Sequence, residues 1–328
     1  MKFLKFFVTG FFIFTLLQNN KVSCQNIQTL QLGQDNDSSY YHLTKIGPNE
    51  FWAGGEYGIL TVFDTLGNMR SISLPLDGAA ILKMERKDSY AFIITDDCTI
   101  IKYNLTDQTF IKRKFHGSRN KCFYDMIFTN DNKIILCGGS TGISKAQKKL
   151  PRGFIGVANL DLDQPKIVWK SYRKFVWSVK ETANNEFLAA TFNGINTKIL
   201  RSTNGLNWRR HNKIKGLVHE INTIENKIFY CGTGGIHFNK DGFIQKENEK
   251  KQVFPNEGCF WSMETSSQLP IVVTQKGKVL IGVKNDSFQH FKLPTNFPIY
   301  DLEQVSENKF MVVGHGKSAF IFETRLVK

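Results

Sequence analysis

The chain has 328 residues, 41% hydrophobic, 13% aromatic and 22% charged. That excludes a disordered or low-complexity polymer and supplies apolar mass for a large core. Its 43 Lys/Arg against 29 Asp/Glu leave a formal +14, so an acidic partner has to be considered. Length alone permits two domains, yet all-β folds of this size also form one.

The chain opens with Lys2 and Lys5, an apolar run over 6–17, and a polar segment ending Val22-Ser23-Cys24. This is the layout of a secretory signal, so residues 1–24 are expected to be cleaved and 25–328 to form the mature domain. The expected destination is secreted, periplasmic or cell-surface. The apolar run is shorter than the ~20 residues that cross a bilayer, and no later stretch reaches that length, so no membrane span is expected. Cleavage takes three lysines and no acid, bringing +14 to +11. Residues 111–215 alone hold 21 Lys/Arg against 6 Asp/Glu, leaving the rest of the mature chain slightly acidic.

One phrase recurs along the sequence: Asn-Lys/Glu, four mostly apolar residues, then Gly or Thr. It reads NEFWAGG from Asn49, NKIILCG from Asn132, NEFLAAT from Asn185, NKIFYCG from Asn226 and NKFMVVG from Asn308. Degenerate copies are SYAFIIT from Ser89 and QLPIVVT from Gln268. The anchors are spaced 40, 43, 53, 41, 42 and 40, and the residue six places on is Gly55, Thr95, Gly138, Thr191, Gly232, Thr274 or Gly314. Periods near 40 mark propeller blades.

Within each unit a short strand (123–128, 176–180, 300–304) leads through a polar turn into the anchor strand. A third strand (59–63, 319–322) and a fourth (288–293) follow. The seventh unit runs out after its third strand, and a spare strand at 27–32 precedes the first. The expectation is all-β: a single seven-bladed β-propeller of four-stranded antiparallel blades, closed by the N-terminal strand completing the last blade.

Ser202-Thr203-Asn204-Gly205-Leu206-Asn207-Trp208 resembles the Asp-box of sialidase-like and photosystem-assembly-factor-like propellers, and the repeats are similar to WD40, YVTN and BNR types. Asn204 stands where Asp is usual, and the turn is one residue shorter. The resemblance implies a third-to-fourth-strand hairpin in which Asn204 and Gly205 shape the turn and Trp208 packs beneath it. In that family the box is structural and remote from the catalytic site.

Five cysteines follow the leader. Cys98–Cys122 and Cys231–Cys259 could staple neighbouring blades with Cys137 left as a buried thiol; Cys122–Cys137 is the rival pairing, and reduced core thiols are the third possibility. No spacing suggests zinc, so neither metal nor cofactor is expected.

In a propeller the first strand of each blade is innermost, and loops from every blade converge on one rim. Near the start of the first strands stand His42, Lys83, Asp125, Ser178, Glu220, Ser262 and Asp301, one per blade, with Tyr41, Tyr124, Trp177, Trp261 and Tyr300 beside them. Together they predict a polar funnel with aromatic walls for a glycan, a peptide or a metal-bridged ligand. The third unit carries its extra length in STGISKAQKKLPRGF, 140–154, on the same rim. Lys145, Lys148, Lys149 and Arg152 there join Arg119, Lys121, Arg173 and Lys174 as a candidate surface for sulfate, carboxylate or phosphate groups.

The leading expectation is a monomeric binding or scaffold propeller whose basic rim holds an acidic glycan or protein. Export disfavours nucleic acid. The alternative is a sialidase-like glycoside hydrolase working through Asp125, Glu220 and Asp301. Sialidases hold their substrate carboxylate with an arginine triad, and the ring positions here carry no Arg.

Overall fold

The second strand of each unit is apolar on consecutive residues, not alternate ones. Lys309–Gly314 and Tyr90–Thr95 each bury five in a row. A strand that buries one face alternates, so a continuous run needs cover on both faces. The computed structural model, which describes residues 21–31, 38–114, 122–139, 153–163, 166–172, 174–234, 241–266, 269–283 and 287–327, supplies that cover by arranging blades around a ring.

The described strands form seven four-stranded antiparallel sheets, as expected. Blade 1 runs Tyr40–Lys45, Glu50–Gly55, Leu60–Asp64 and Met69–Ser71, from channel to circumference. The innermost strands of blades 2 to 7 are Ile81–Lys87, Cys122–Phe128, Phe175–Glu181, Leu217–Ile224, Phe260–Ser266 and Ile299–Ser306. Alternate residues of one strand serve different neighbours. Phe310 and Val312 pack with Ile271, Val273 and Val279 of blade 6. Met311 and Val313, on the opposite face, pack with Tyr40, Leu43 and Phe51 of blade 1. Each of the seven junctions has such a cluster.

The recurring phrase has a backbone cause. Asn132, Asn185 and Asn226 sit at φ 58°, 58° and 62°, the left-handed region that Asn tolerates in tight turns. At Gly55, Gly232 and Gly314 a Cβ would stand 1.8, 2.0 and 2.2 Å from the carbonyl oxygens of Ser39, Leu217 and Pro298. The chain entering the innermost strand crosses there, leaving no room for a side chain. At Thr191 the hydroxyl instead donates to the Lys198 carbonyl at 2.9 Å, and at Thr95 it donates to Asp97 Oδ1 at 2.6 Å and accepts the Thr99 amide at 3.1 Å, closing the turn into the third strand.

The turn after Asn196–Ser202 has the expected chemistry. Asn204 Oδ1 accepts from the Leu206 and Asn207 amides at 3.0 and 2.9 Å, and Trp208 Nε1 donates to the Gly205 carbonyl at 2.9 Å. Trp208 packs against the cluster of Ile135 and Phe187.

Lys21–Gln31 pairs antiparallel with Ala319–Val327 and becomes the fourth strand of blade 7. It starts six residues earlier than the sequence suggested, so residues 21–24 lie in this strand as well as at the end of the expected leader. After cleavage at Cys24, Gln25, opposite Glu323, would begin the seal. The Cys231 and Cys259 thiols both point at the Phe260 carbonyl, at 3.9 and 3.6 Å. Both are buried free thiols at the blade 5–6 junction. Cys98 and Cys137 are buried, and the Cys122 side chain lies outside what is described. Among the described residues no helix is long and apolar enough to cross a membrane.

Deleting residues 1–31 bares the paired edge of Ala319–Val327, an invitation to strand exchange between molecules. The shortened chain is expected to melt more than about 5 °C lower and to self-associate in light scattering. A monomer with unchanged melting would refute this closure.

Candidate functional site

All seven innermost strands carry the same irregularity. The register skips Tyr41, Leu82, Tyr124, Trp177, His219, Trp261 and Tyr300, one per blade. Each is a β-bulge, where two residues on one strand oppose a single residue on the next. A regular strand would send consecutive side chains to opposite faces. The bulge instead lets the skipped residue and its successor, His42, Lys83, Asp125, Ser178, Glu220, Ser262 or Asp301, line the same cavity of about 440 Å³ at the channel mouth.

The skipped residues form a collar. Tyr124 stacks on Trp177 with centroids 4.7 Å apart, and Trp177 meets His219 at 4.9 Å. The sequence continues His219–Trp261 at 4.5 Å, Trp261–Tyr300 at 5.3 Å and Tyr300–Tyr41 at 5.6 Å. Leu82 of blade 2 interrupts it. Burial pushes the His219 imidazole down to about 3, so it is a neutral ring at physiological pH. The Tyr41 hydroxyl donates to Glu56 Oε1 at 2.5 Å, and Glu56 Oε2 accepts the Ser39 amide at 3.1 Å. Ser39 Oγ lies 3.0 Å from His315 Nδ1. These contacts place inner-strand approaches and second-to-third-strand turns on one rim, as expected.

Below the collar, three carboxyls bridge blades. Asp125 accepts the Val179 amide of blade 4 at 2.9 Å, Glu220 the Met263 amide of blade 6 at 2.6 Å, and Asp301 the Leu43 amide of blade 1 at 2.8 Å. Asp125 and Asp301 also accept the amide of their own successor, at 2.9 and 3.0 Å. An N–H bond to a carboxyl oxygen contributes about 0.5–1.5 kcal/mol, rising to about 1.5–3 where the carboxyl is ionised. At the blade 4–5 junction Thr197 Oγ1 does the same work for the Val218 amide, at 3.0 Å. In blade 2, Lys83 Nζ lies 3.4 Å from Glu85 and 3.8 Å from Asp125. Burial opposes its charge, but the carboxylates of Asp125, Glu85, Asp301 and Glu220 outweigh that and raise its pKa. His42 Nε2 is 3.5 Å from Asp301, while burial and then Lys83 hold its pKa well below the ordinary value.

Burial lifts Glu220 to about 8 and Asp301 to about 6, against the pull of Lys83 on both. Two residues beyond Ser262 and Asp301 on their strands, Glu264 and Glu303 are raised by burial as well. Among the described residues no group of three or more His, Cys, Asp or Glu is placed to hold a metal ion.

The structure therefore brings His42, Lys83, Trp177, Trp261 and Tyr300 together with Asp125, Glu220 and Asp301 around one cavity. Arg119, Lys121, Lys145, Lys148, Lys149, Arg152 and Arg173 lie outside the described residues. The described part of the basic stretch falls chiefly elsewhere. Lys112, Arg113 and Lys114, Lys166 and Lys170, and Arg209, Arg210, Lys213 and Lys215 occupy the outermost strands of blades 2, 3 and 4. None of the described outermost strands carries an acid. Lysine and arginine on a free edge deter sheet-to-sheet pairing, which gives much of this charge a structural purpose.

Sequence reading missed Leu82 and His219 as collar positions and Glu85, Lys180, Glu264 and Glu303 as the next layer. The period held the signal: His219 precedes Glu220 as Tyr41 precedes His42, and the four others lie two residues beyond a ring position, on the same strand face.

No family model and no curated protein matches the sequence. Solved structures share the fold. A streptogramin B lyase superposes with TM-score 0.72 at 10% identity, covering 92% of this chain and 98% of its own. YCF48 bound to D1 peptide gives 0.67 at 10%, over 92% and 96%. The WD40 β-propeller domain of Doa1 gives 0.65 at 11%, over 91% and 97%. At such identities the likeness is one of fold alone, shared by lyase, peptide-bound and WD40 propellers.

A carboxyl whose folded pKa is raised binds its proton more tightly folded than unfolded. Stability then falls as pH rises from the unfolded value, about 4.3, to the folded one, about 8 for Glu220. Glu220→Gln keeps an acceptor for the Met263 amide and removes this titration. Its melting temperature is expected to drop less than wild type's between pH 5 and pH 8.5; parallel curves would remove Glu220 from the account.

Proposed function

We propose that this chain is an exported, non-catalytic binding propeller that seats a protruding group of its ligand in the collared channel mouth. Cations on blades 2 to 4, together with Arg119, Arg173 and the segment holding Lys145, Lys148, Lys149 and Arg152, draw an acidic glycan or protein surface alongside. The observation that carries this reading is the division of labour on the innermost strands. Asp125, Glu220 and Asp301 are committed to amides of the next blade, whereas the collar side chains line the cavity.

The hydrolase alternative needs two carboxyls free to protonate a glycosidic oxygen and to attack or activate water. The backbone bonds of these three carboxyls tell against it. The similar folds include one solved with a peptide bound and one lyase, so the fold leaves the function to the residues.

Two measurements test the proposal. Wild type is expected to be retained on sulfated beads and to elute as salt rises, because screening weakens exposed charge contacts. Arg209/Arg210/Lys213/Lys215→Ala and Lys145/Lys148/Lys149/Arg152→Ala should each elute at lower salt; unchanged elution of both would sink the basic surface. A panel of fluorogenic glycosides should give no turnover. Turnover that disappears in Asp125→Asn would restore the hydrolase.

A further inference from the structure

The channel mouth gathers acidic side chains, whereas the described outer strands of blades 2 to 4 gather basic ones. The cavity lining holds four carboxyls, Glu85, Asp125, Glu220 and Asp301, against Lys83 and Lys180. Glu264 and Glu303 stand in the connected space below. The other cations at that lower end are spoken for: Lys45 bonds the Val305 carbonyl and Arg86 the Ile46 carbonyl. Lys83 is itself held between Glu85 and Asp125. An anion drawn to Lys83 would have to break that pairing, and one drawn to Lys180 would meet Glu220 and Glu264, which lie within its electrostatic reach. Above this floor stand Tyr41, Tyr124, Trp177, Trp261 and Tyr300, whose ring faces carry negative potential.

A polar atom of the cavity lining also lacks a hydrogen-bond partner among the described residues. His42 Nδ1 is buried without a hydrogen bond among the described residues, and His42 lines both the upper and lower spaces. A buried polar nitrogen left unpaired carries a cost unless something bonds it.

We propose that the channel mouth recognises an organic cation, an alkylammonium carried on an apolar stem, with the rings of the collar around its methyl or methylene groups and the carboxyls of the ring beneath its charge. An ammonium over aromatic faces inside a partly enclosed site is attracted more strongly than the same pair in water. The cavity, at about 440 Å³, is larger than a trimethylammonium head and has room for the stem. The proposal rests on the channel mouth being a ligand seat, and it names the charge that seat selects. The cation belongs either to a free small molecule or to a modified lysine of a partner.

Three probes of one shape separate charge from size: choline, its neutral carbon isostere 3,3-dimethylbutan-1-ol, and the anion 3,3-dimethylbutanoate. Binding is followed by tryptophan fluorescence, since Trp177 and Trp261 line the cavity, and by calorimetry on the full chain. Choline is expected to bind about tenfold or more tightly than the alcohol, with the anion weakest. Trp177→Leu should cost choline about tenfold while leaving elution from sulfated beads unchanged; a Tyr124→Leu variant serves should Trp177→Leu fail to fold. A peptide carrying trimethyl-lysine, binding more tightly than both choline and its unmodified form, would assign the cation to a partner protein. Choline ahead of that peptide would assign it to a free amine. Equal binding of choline and the alcohol would overturn the cation while keeping the ligand seat. Preference for the anion would overturn the cation alone as well. No binding of any probe would remove the seat along with the cation.

Discussion

Each blade is apolar on both faces. A single four-stranded sheet with Phe310 and Val312 on one side and Met311 and Val313 on the other has no stable existence in water, because each side exposes what the hydrophobic effect drives out of it. Blades must stack, and a row of stacked blades leaves two apolar ends until it closes on itself. Seven blades close it here, and the last is completed by a strand from the opposite end of the chain. The ring then leaves the polar atoms of seven innermost strands around one axis.

That axis is where local irregularity becomes a site. Without the bulges, the aromatic and polar residues of each pair would project from opposite faces of the strand, and the collar would not stand over the carboxyls. The same bulges place Asp125, Glu220 and Asp301 beside the amides of the following blade. Groups that would attract notice as catalysts are thus bound into the architecture, and a cavity lined by rings is left for recognition. Outside, the described outermost strands of blades 2 to 4 carry runs of Lys and Arg, and none of the seven carries an acid. Centre and circumference are set by different demands, and their charges differ accordingly.

The fold was legible because propellers write themselves in period. Asn132, Asn185 and Asn226 mark left-handed turns, Gly55, Gly232 and Gly314 mark backbone crossings, and both recur near 40 residues. The polar ring and most of the aromatic collar were legible for the same reason. The carboxyl-to-amide bridges were not, since each joins residues about 40 to 260 apart in register known only once the blades are packed. Nor was the placement of charge. Residues 111–215 read as one basic stretch, but folding spreads most of their described cations over the outer edges of three blades, and a linear count cannot separate rim from edge. The Asn204 turn was read correctly as local chemistry, and the solved structures of similar fold share the architecture at identities too low to carry a family.

The closing strand has a mechanical consequence. Lys21 lies opposite Val327 and Gln31 opposite Ala319, so the two ends of the ring leave from the same end of one antiparallel pair. Tension applied between them loads the ladder's hydrogen bonds one at a time, from Lys21 inward, instead of sharing the load in parallel. Under such a load the seventh blade peels first, whereas the strands of the other blades are joined to the chain on both sides.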